Sequence, residues 1–351
     1  MAYTTINKST DYFNTKLWSG NGSSQALTGI GHQTDMVWIK SRTDTRKHNL
    51  YDVVRGVQKR IVPNDTAAED TVPGVTAFGT DGFTVGSETD TNGSSRNFVG
   101  WSWSAGASAG SSNTDGSQSS TVSVNTTAGF SIVKFTNTTS YSSNTFGHGL
   151  GVAPQMIIMR SLDDAYNWDV YHHKVGATKR MVLNSSAAEA TTTYMNNTAP
   201  TNQVFTLKSD HYGNGSDAIA YCFAEKKGYS KFGSYTGNGN SDGTFVYTGF
   251  KPAWVMIKNQ TSGSYKSWSI FDNTRQTFNP NVNKTLYANR NEPEGRRGDG
   301  STSSTIPAID MLSNGFKCRV DNDEVNTTND YIYMAFGQTI VGTNNIPATA
   351  R

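Results

Sequence analysis

The sequence predicts an all-β protein made of three tandem antiparallel β-sandwich modules. Three observations carry this: an internal repeat, an apolar pattern of period two, and turn chemistry at the corners. The repeat is the strongest. A shift of 120 positions lays Ile61 to Glu69 (Ile-Val-Pro-Asn-Asp-Thr-Ala-Ala-Glu) over Met181 to Glu189 (Met-Val-Leu-Asn-Ser-Ser-Ala-Ala-Glu). The same shift places Lys40 on Arg160, Tyr51 on Tyr171, and Trp101 and Trp103 on Tyr221 and Phe223. A third copy follows at a drifting offset of 98 to 113 from the second: Trp254 to Lys258 repeats Met36 to Lys40, Phe271-Asp272 repeats Tyr51-Asp52, and Tyr331 to Phe336 closes the chain on an aromatic strand. Strands persist while connections change length, as surface loops do.

Within each copy apolar residues alternate. Val99, Trp101 and Trp103 share one side of a predicted strand, as do Ile219, Tyr221 and Phe223, and Tyr331, Tyr333 and Ala335. Met156 to Met159 is apolar on both sides, which suits a central strand of a two-layer sandwich. Asp81-Gly82-Phe83 and Asn314-Gly315-Phe316 read as hairpin turns, since these residues tolerate positive φ. Helical patterns are scarce; the Ala-Ala-Glu segments amount to one or two turns at most. The predicted boundaries are module one at 1–104, a Ser/Gly/Thr-rich linker at 105–128 with almost nothing to bury, module two at 129–230 and module three at 231–351.

Composition narrows the function classes. Only 17% of the 351 residues are charged, against about 25% in an average soluble protein, so the polarity comes from Ser, Thr, Asn and Gly. A net charge of +2 argues against a nucleic-acid partner, which needs a concentrated basic face. Arg296-Arg297 and Lys226-Lys227 are isolated pairs, read as solvated loop charges. No apolar run of about 20 residues is present for membrane insertion, and Met1 to Lys8 has no signal-peptide core. Cys222 and Cys318 stand at non-equivalent positions, so they are read as small strand residues rather than a disulfide.

Candidate chemistry is sparse. The sequence contains no zincin, phosphate-loop, nucleophile-elbow or zinc-type cysteine spacing. His172-His173 cannot easily share a metal, because adjacent strand side chains point to opposite faces; His172 aligns with Asp52 and Asp272 as a polar strand end. Two sets of acids and amides recur in register: Asp90, Asp210 and Asp323, and Asn97, Asp217 and Asp330. The first set is the candidate calcium site, since that ion takes six to eight oxygen ligands, with Asx turns as the competing reading. Residues 321–326 (Asp-Asn-Asp-Glu-Val-Asn) miss the EF-hand spacing at positions five and six. No organic cofactor or catalytic residue is assigned. Aromatics recurring in register are core by default, whereas Trp18, Trp168, Trp268 and Tyr141, flanked by polar residues, are candidates for an exposed face or for packing between modules. Arg297-Gly298-Asp299 marks a polar loop.

Tyr235 to Gly239 (Tyr-Thr-Gly-Asn-Gly), Thr248 to Lys258 (Thr-Gly-Phe-Lys-Pro-Ala-Trp-Val-Met-Ile-Lys), Asn184 to Glu189 and Asn314 to Phe316 resemble the repeated modules in virion structural and fibre proteins of marine tailed bacteriophages. Those modules are similar to concanavalin-like, jelly-roll lectin and glucanase sandwiches. The resemblance spans about residues 10–104 and 129–338, and Lys251 to Lys258 is its most specific piece. Module one departs by having Asp35 where module three has Ala253, and module three has Glu292-Pro293-Glu294 in place of Ala-Ala-Glu.

The resemblance implies a non-enzymatic virion component: a fibre, spike or capsid-surface protein that contacts other virion proteins, forms homo-oligomers such as trimers, and binds host-surface glycans. It supplies no catalytic residues. The alternatives are a glycan depolymerase, whose two carboxyls would stand about 5 to 9.5 Å apart, and a free lectin or adhesin.

Overall fold

Alternating apolar strands bounded by Gly and Asn turns build sheets, and the computed structural model consists of them almost entirely. It describes residues 4–139, 142–209, 211–261, 266–279, 284–296 and 308–338. The first lobe holds β1 Phe13–Ser19, β2 Gln25–Thr28, β3 Met36–Ser41, β4 Asn49–Asp52, β5 Lys59–Arg60, β6 Asp70–Thr71, β7 Val75–Gly79, β8 Gly82–Val85 and β9 Asn97–Trp103. Next come β10 Ser111–Asn113 and β11 Ser120–Asn125, then the second lobe: β12 Phe130–Thr136, β13 Ser143–Gly147, β14 Met156–Ser161, β15 Asp169–His172, β16 Lys179–Val182, β17 Ala190–Thr191, β18 Val204–Lys208 and β19 Asp217–Phe223. The third holds β20 Ser230–Thr236, β21 Phe245–Tyr247, β22 Pro252–Asn259, β23 Ser269–Asp272, β24 Leu286–Tyr287, β25 Ile309–Leu312, β26 Gly315–Cys318 and β27 Asp330–Gly337.

One topology occurs three times. The inner sheets run β1-β9-β3-β4, β12-β19-β14-β15-β16-β17 and β20-β27-β22-β23-β24, all antiparallel, and in each the last strand lies between the first and the third. The outer sheets run β2-β8-β7, β13-β18 and β21-β26-β25. The register repeats as well: Trp38 faces Trp101, Ile158 faces Tyr221, and Met256 faces Met334. At the outer hairpins, a Cβ on Gly82 would stand 1.9 Å from the Leu27 carbonyl oxygen, and one on Gly315 2.0 Å from that of Val246. The Asp-Gly and Asn-Gly signals therefore mark strands that approach too closely for any side chain.

Each lobe has its own core between its two sheets, around Val37, Tyr51 and Phe83 in the first, Ile157, Met159 and Phe205 in the second, and Val255, Phe271 and Phe316 in the third. The opposite faces of the three inner sheets meet in a fourth, shared core containing Trp38, Trp101 and Trp103, Ile158, Trp168, Tyr221 and Phe223, and Trp254, Trp268, Met334 and Phe336. Met156 to Met159 is apolar on both sides for this reason: Ile157 and Met159 enter the lobe core, Met156 and Ile158 the shared one. The recurring aromatics are buried, as expected. Tyr51, Tyr171 and Phe271 fill the two-layer cores of their own lobes, whereas Trp101, Trp103, Tyr221, Phe223 and Phe336 seal one lobe against the next: Phe13 and Phe336 stack at 5.0 Å, and Trp103 meets Trp254 edge-on at 6.0 Å.

Polar joints set the angle between lobes, and they run head to tail. Trp168 Nε1 donates to the Val62 carbonyl of lobe one at 2.9 Å, Trp268 Nε1 to Val182 of lobe two at 2.9 Å, and His48 Nε2 to Tyr287 of lobe three at 2.9 Å. Trp38 Nε1 donates to His48 Nδ1, which fixes that tautomer. A second set donates in the opposite direction around the ring: the backbone N–H groups of Glu69, Glu189 and Glu294 reach the carbonyls of Leu162, Gln260 and Arg42 of the adjoining lobe. Arg160 donates to Thr66 and Ala67, and Lys258 Nζ to Ser186. The Ala-Ala-Glu segments thus form no helix. Their amides and carbonyls are committed to the neighbouring lobe, which outweighs alanine's helix propensity.

Residues 105–128, expected as a linker, are instead partly strand. Strands β10 and β11 extend the inner sheet of lobe two beyond β12, with Val122 and Val124 packing on its core. Ser and Thr side chains hid these strands, since an edge ladder needs backbone hydrogen bonds more than apolar surface.

Two joints bury charge, through Asp52 with Arg55 and Asp272 with Arg275. Asp272 Oδ2 accepts from Arg275 Nε at 2.5 Å and from Trp101 Nε1 of lobe one at 3.0 Å, while Oδ1 takes the amides of Thr274 and Arg275. Asp272→Ala breaks this pair and leaves the buried Arg275 guanidinium with Glu294 Oε1 at 3.3 Å as its carboxylate partner, so denaturant unfolding should show a loss of about 3–5 kcal/mol. Asp272→Asn, which still accepts the two amides, should lose less.

Candidate functional site

The sequence-predicted residues scatter. Asp90 lies in the short helix α1 (Thr89–Asn92), where Arg46 holds Oδ1 at 3.3 Å and the Asp90 carbonyl accepts from Asn49. Asp323 belongs to another lobe; its carbonyl accepts from Asn259 Nδ2 at 2.7 Å and its carboxylate stands 3.9 Å from Lys266. Asp210, Tyr141 and the Arg297-Gly298-Asp299 loop lie outside the described residues. Among the described residues no three His, Cys, Asp or Glu side chains gather as a metal cluster. Asp323 stands in a turn. Asn97, Asp217 and Asp330 each accept a hydroxyl across the first ladder of their lobe, from Ser19, Thr136 and Thr236.

Trp168 and Trp268 are buried in the joints, and Trp18 is buried in its own lobe, where it donates to Thr91. Trp168 and Trp268 thus follow the between-module alternative, and their polar flanks accompany joints built on carbonyl acceptors. Cys222 and Cys318 are free and buried.

His172 and His173 diverge as expected. His173 Nε2 donates to the Phe232 carbonyl at 2.7 Å, while His172 Nδ1 accepts from Lys174 N at 3.3 Å. His172 thereby caps its turn as Asp52 and Asp272 cap theirs. The neighbour donates differently at each joint: Tyr221 to Asp52 at 2.6 Å and Trp101 to Asp272 at 3.0 Å, while Met334 stands at the equivalent position of the third joint and has no proton to give.

A difference among the copies leads to a cluster that sequence reasoning missed. Asn49, Asp169 and Ser269 are equivalent positions, and only lobe two has a carboxylate there. Asp169 Oδ2 accepts from His211 Nε2 at 2.6 Å and Tyr212 OH at 2.8 Å, and Oδ1 faces Arg180 Nη1 at 3.1 Å. The rings of Tyr166 and Tyr194 flank His211. Burial, then the Asp169 charge, holds both the Tyr194 and Tyr212 phenols well above the usual range. The His–Asp pair has the orientation of a proton relay, but Arg180 and Tyr212 also occupy its carboxylate.

Two surface features complete the inventory. Between lobes one and three lies a cleft of about 230 Å³ lined by Ser9, Thr10, Asn14, Asn273, Thr274 and Gln338. Its hydroxyl and amide groups carry no charge. On the outer sheet of lobe three, Phe245 and Tyr247 are 44% and 59% exposed.

Residues 8–339 match the family described as a domain of unknown function, DUF7483. The chain belongs to the DUF7483 family. The match runs through all three lobes, so the ring of joints lies inside one family unit. No curated protein and no solved structure matches this DUF7483 chain.

Burial, and next the charge of His173, pushes the His172 imidazole down to about 3. The unfolded ring titrates near 6.5. The folded state therefore resists protonation: stability is complete above about pH 6.5 and falls by about 1.4 kcal/mol per unit as pH drops toward 3. His172→Asn keeps the acceptor for Lys174 and removes the titration. Urea unfolding at pH 7 and pH 5 should show wild type losing about 2 kcal/mol more than this variant.

Proposed function

We propose that this DUF7483 chain is a non-enzymatic structural component of a tailed-phage virion, a fibre, spike or capsid-surface part, that presents lobe-specific surfaces on a rigid three-lobed core. The head-to-tail ring of joints carries this reading. Groups that recur in register, from the Trp168 and Trp268 indoles to the backbone amides of Glu69, Glu189 and Glu294, hold lobe against lobe, while Phe245 and Tyr247, which have no aromatic counterparts in the other copies, lie outward. Closure of three sandwiches within one chain supplies the frame that a trimer of single sandwiches would otherwise provide. The resemblance of Lys251 to Lys258 and the related segments to phage virion modules supports the location.

Host-surface glycan is the ligand class we assign to the cleft between lobes one and three. Neutral hydroxyl and amide groups match sugar hydroxyls, and about 230 Å³ is small beside the roughly 300–1,000 Å³ of drug-sized sites, which favours a single sugar unit over a longer chain. The Asp169–His211 pair supports a structural role more than a catalytic one, since three donors already surround its carboxylate.

Mass spectrometry of purified virions should detect the chain at stoichiometric copy number, and antibodies against it should label intact particles. Its absence from particles would contradict the proposal. On a glycan array Asn273→Trp, which fills the cleft, should abolish whatever binding wild type shows; unchanged binding would remove the cleft from the account.

A further inference from the structure

The outer sheets end in edge strands, β2, β13 and β21, and an edge strand presents unpaired N–H and C=O groups to its surroundings. Lobe two closes its edge with its own chain. Gln118 pairs in parallel with Phe146 of β13: its N–H donates to the Thr145 carbonyl at 3.2 Å, Thr145 N donates to Ser117 Oγ at 2.9 Å, and Ser117 N to Thr145 Oγ1 at 2.7 Å. Ser120 Oγ covers the Gly147 carbonyl at 2.9 Å. The approach is close enough that a Cβ on Gly116 would meet the Thr145 carbonyl oxygen at 2.2 Å.

Register identifies the equivalent edges. Phe205, Phe83 and Phe316 face Phe146, Leu27 and Val246, so Thr145 corresponds to Ala26 and Phe245, and Gly147 to Thr28 and Tyr247. In lobe three the chain arriving from lobe two is short, and no such strap precedes β20. Cys318 N donates to the Thr244 carbonyl and Thr248 N to that of Asn314. By the alternation of an antiparallel ladder, Phe245 and Tyr247 then turn their own N–H and C=O away from β26. These groups have no partner among the described residues. Val246 between them is buried, while both rings lie on the solvent face. The usual edge protections of lysine, proline or a bulge are missing from Phe245-Val246-Tyr247. Ala26 and Thr28 give the lobe-one edge no comparable apolar surface.

We propose that the β21 edge of lobe three takes an extended polypeptide arm of a partner protein, added in parallel as Gly116–Gln118 is added to β13. The arm has glycine at the position of Gly116, where backbones come closest, and small hydroxyl or amide residues after it. The Phe245 and Tyr247 rings lie over its outer side, giving apolar contact beside the main-chain bonds. This site is independent of the cleft assigned to glycan and stands or falls without it.

The probe is a labelled seven-residue peptide copying residues 114–120 (Thr-Asp-Gly-Ser-Gln-Ser-Ser), without Asn113, whose side chain fills the space a Cβ on Gly147 would take, added to the full chain and followed by fluorescence anisotropy and amide hydrogen exchange. Saturable binding is expected, with the Phe245 and Tyr247 amides exchanging freely alone and slowed when peptide is bound. Replacing the peptide's glycine by valine should weaken binding at least tenfold. Phe245→Pro, which removes the outward N–H and leaves the β26 ladder intact, should do the same. Tyr247→Thr, which installs the lobe-one residue, provides a milder second variant with an expected several-fold loss. The proposal is overturned if the peptide does not bind, if binding ignores both the glycine and the two protein variants, or if the two amides are already protected in the free protein.

Discussion

Every inner sheet in this protein is apolar on both faces, and such a sheet has no stable existence with one face in water. Burying the second face forces each lobe against the other two, because apolar surface removed from water is the main favourable term available. Trp38 with Trp101 in lobe one, Ile158 with Tyr221 in lobe two and Met256 with Met334 in lobe three occupy one register on three sheets, and all six side chains enter the shared core. The outer sheets, the loops and the lobe-specific surfaces hang on that arrangement.

Apolar burial is not directional, so it does not decide how three sheets are angled. The polar joints do. An indole or imidazole N–H reaches a carbonyl of the adjoining lobe at the same place three times, through Trp168, Trp268 and His48. A buried donor or acceptor left unpaired costs about 1–3 kcal/mol, so slippage at any joint is penalised. Buried cations reinforce the rule: Arg160 and Lys258 donate into loops of the next lobe, and burial pushes the Lys40 and Lys258 ammonium groups down to about 7. The third joint relaxes it, with His172 and Met334 standing where the others place Asp–Arg and a donor.

Much of the fold was legible because period two and a gapless shift of 120 survive in the strands. What sequence misread shares one physical cause. Residues 105–128 carry few large apolar side chains beyond Val122 and Val124 because edge strands are held by backbone bonds; the Ala-Ala-Glu segments look helical because alanine's propensity says nothing about carbonyls committed to a neighbouring lobe; Trp168 and Trp268 have polar flanks because their joints are polar. Each involves partners outside the segment itself, a sheet neighbour for residues 105–128 and another lobe for the rest, which no local window contains. The Asp169–His211–Tyr212 cluster was visible only as a departure at a repeated position, and Phe245 and Tyr247 only as aromatics that their counterparts Ala26, Thr28, Thr145 and Gly147 lack.

The claim beneath all of this is that three lobes make one cooperative body. Differential scanning calorimetry tests it most directly, by comparing the calorimetric unfolding enthalpy with the van't Hoff enthalpy of the same transition. A shared core and a closed ring of joints predict one transition with a ratio of about 1. Separable transitions, or a ratio of about 3 as expected for three lobes melting independently, would contradict it.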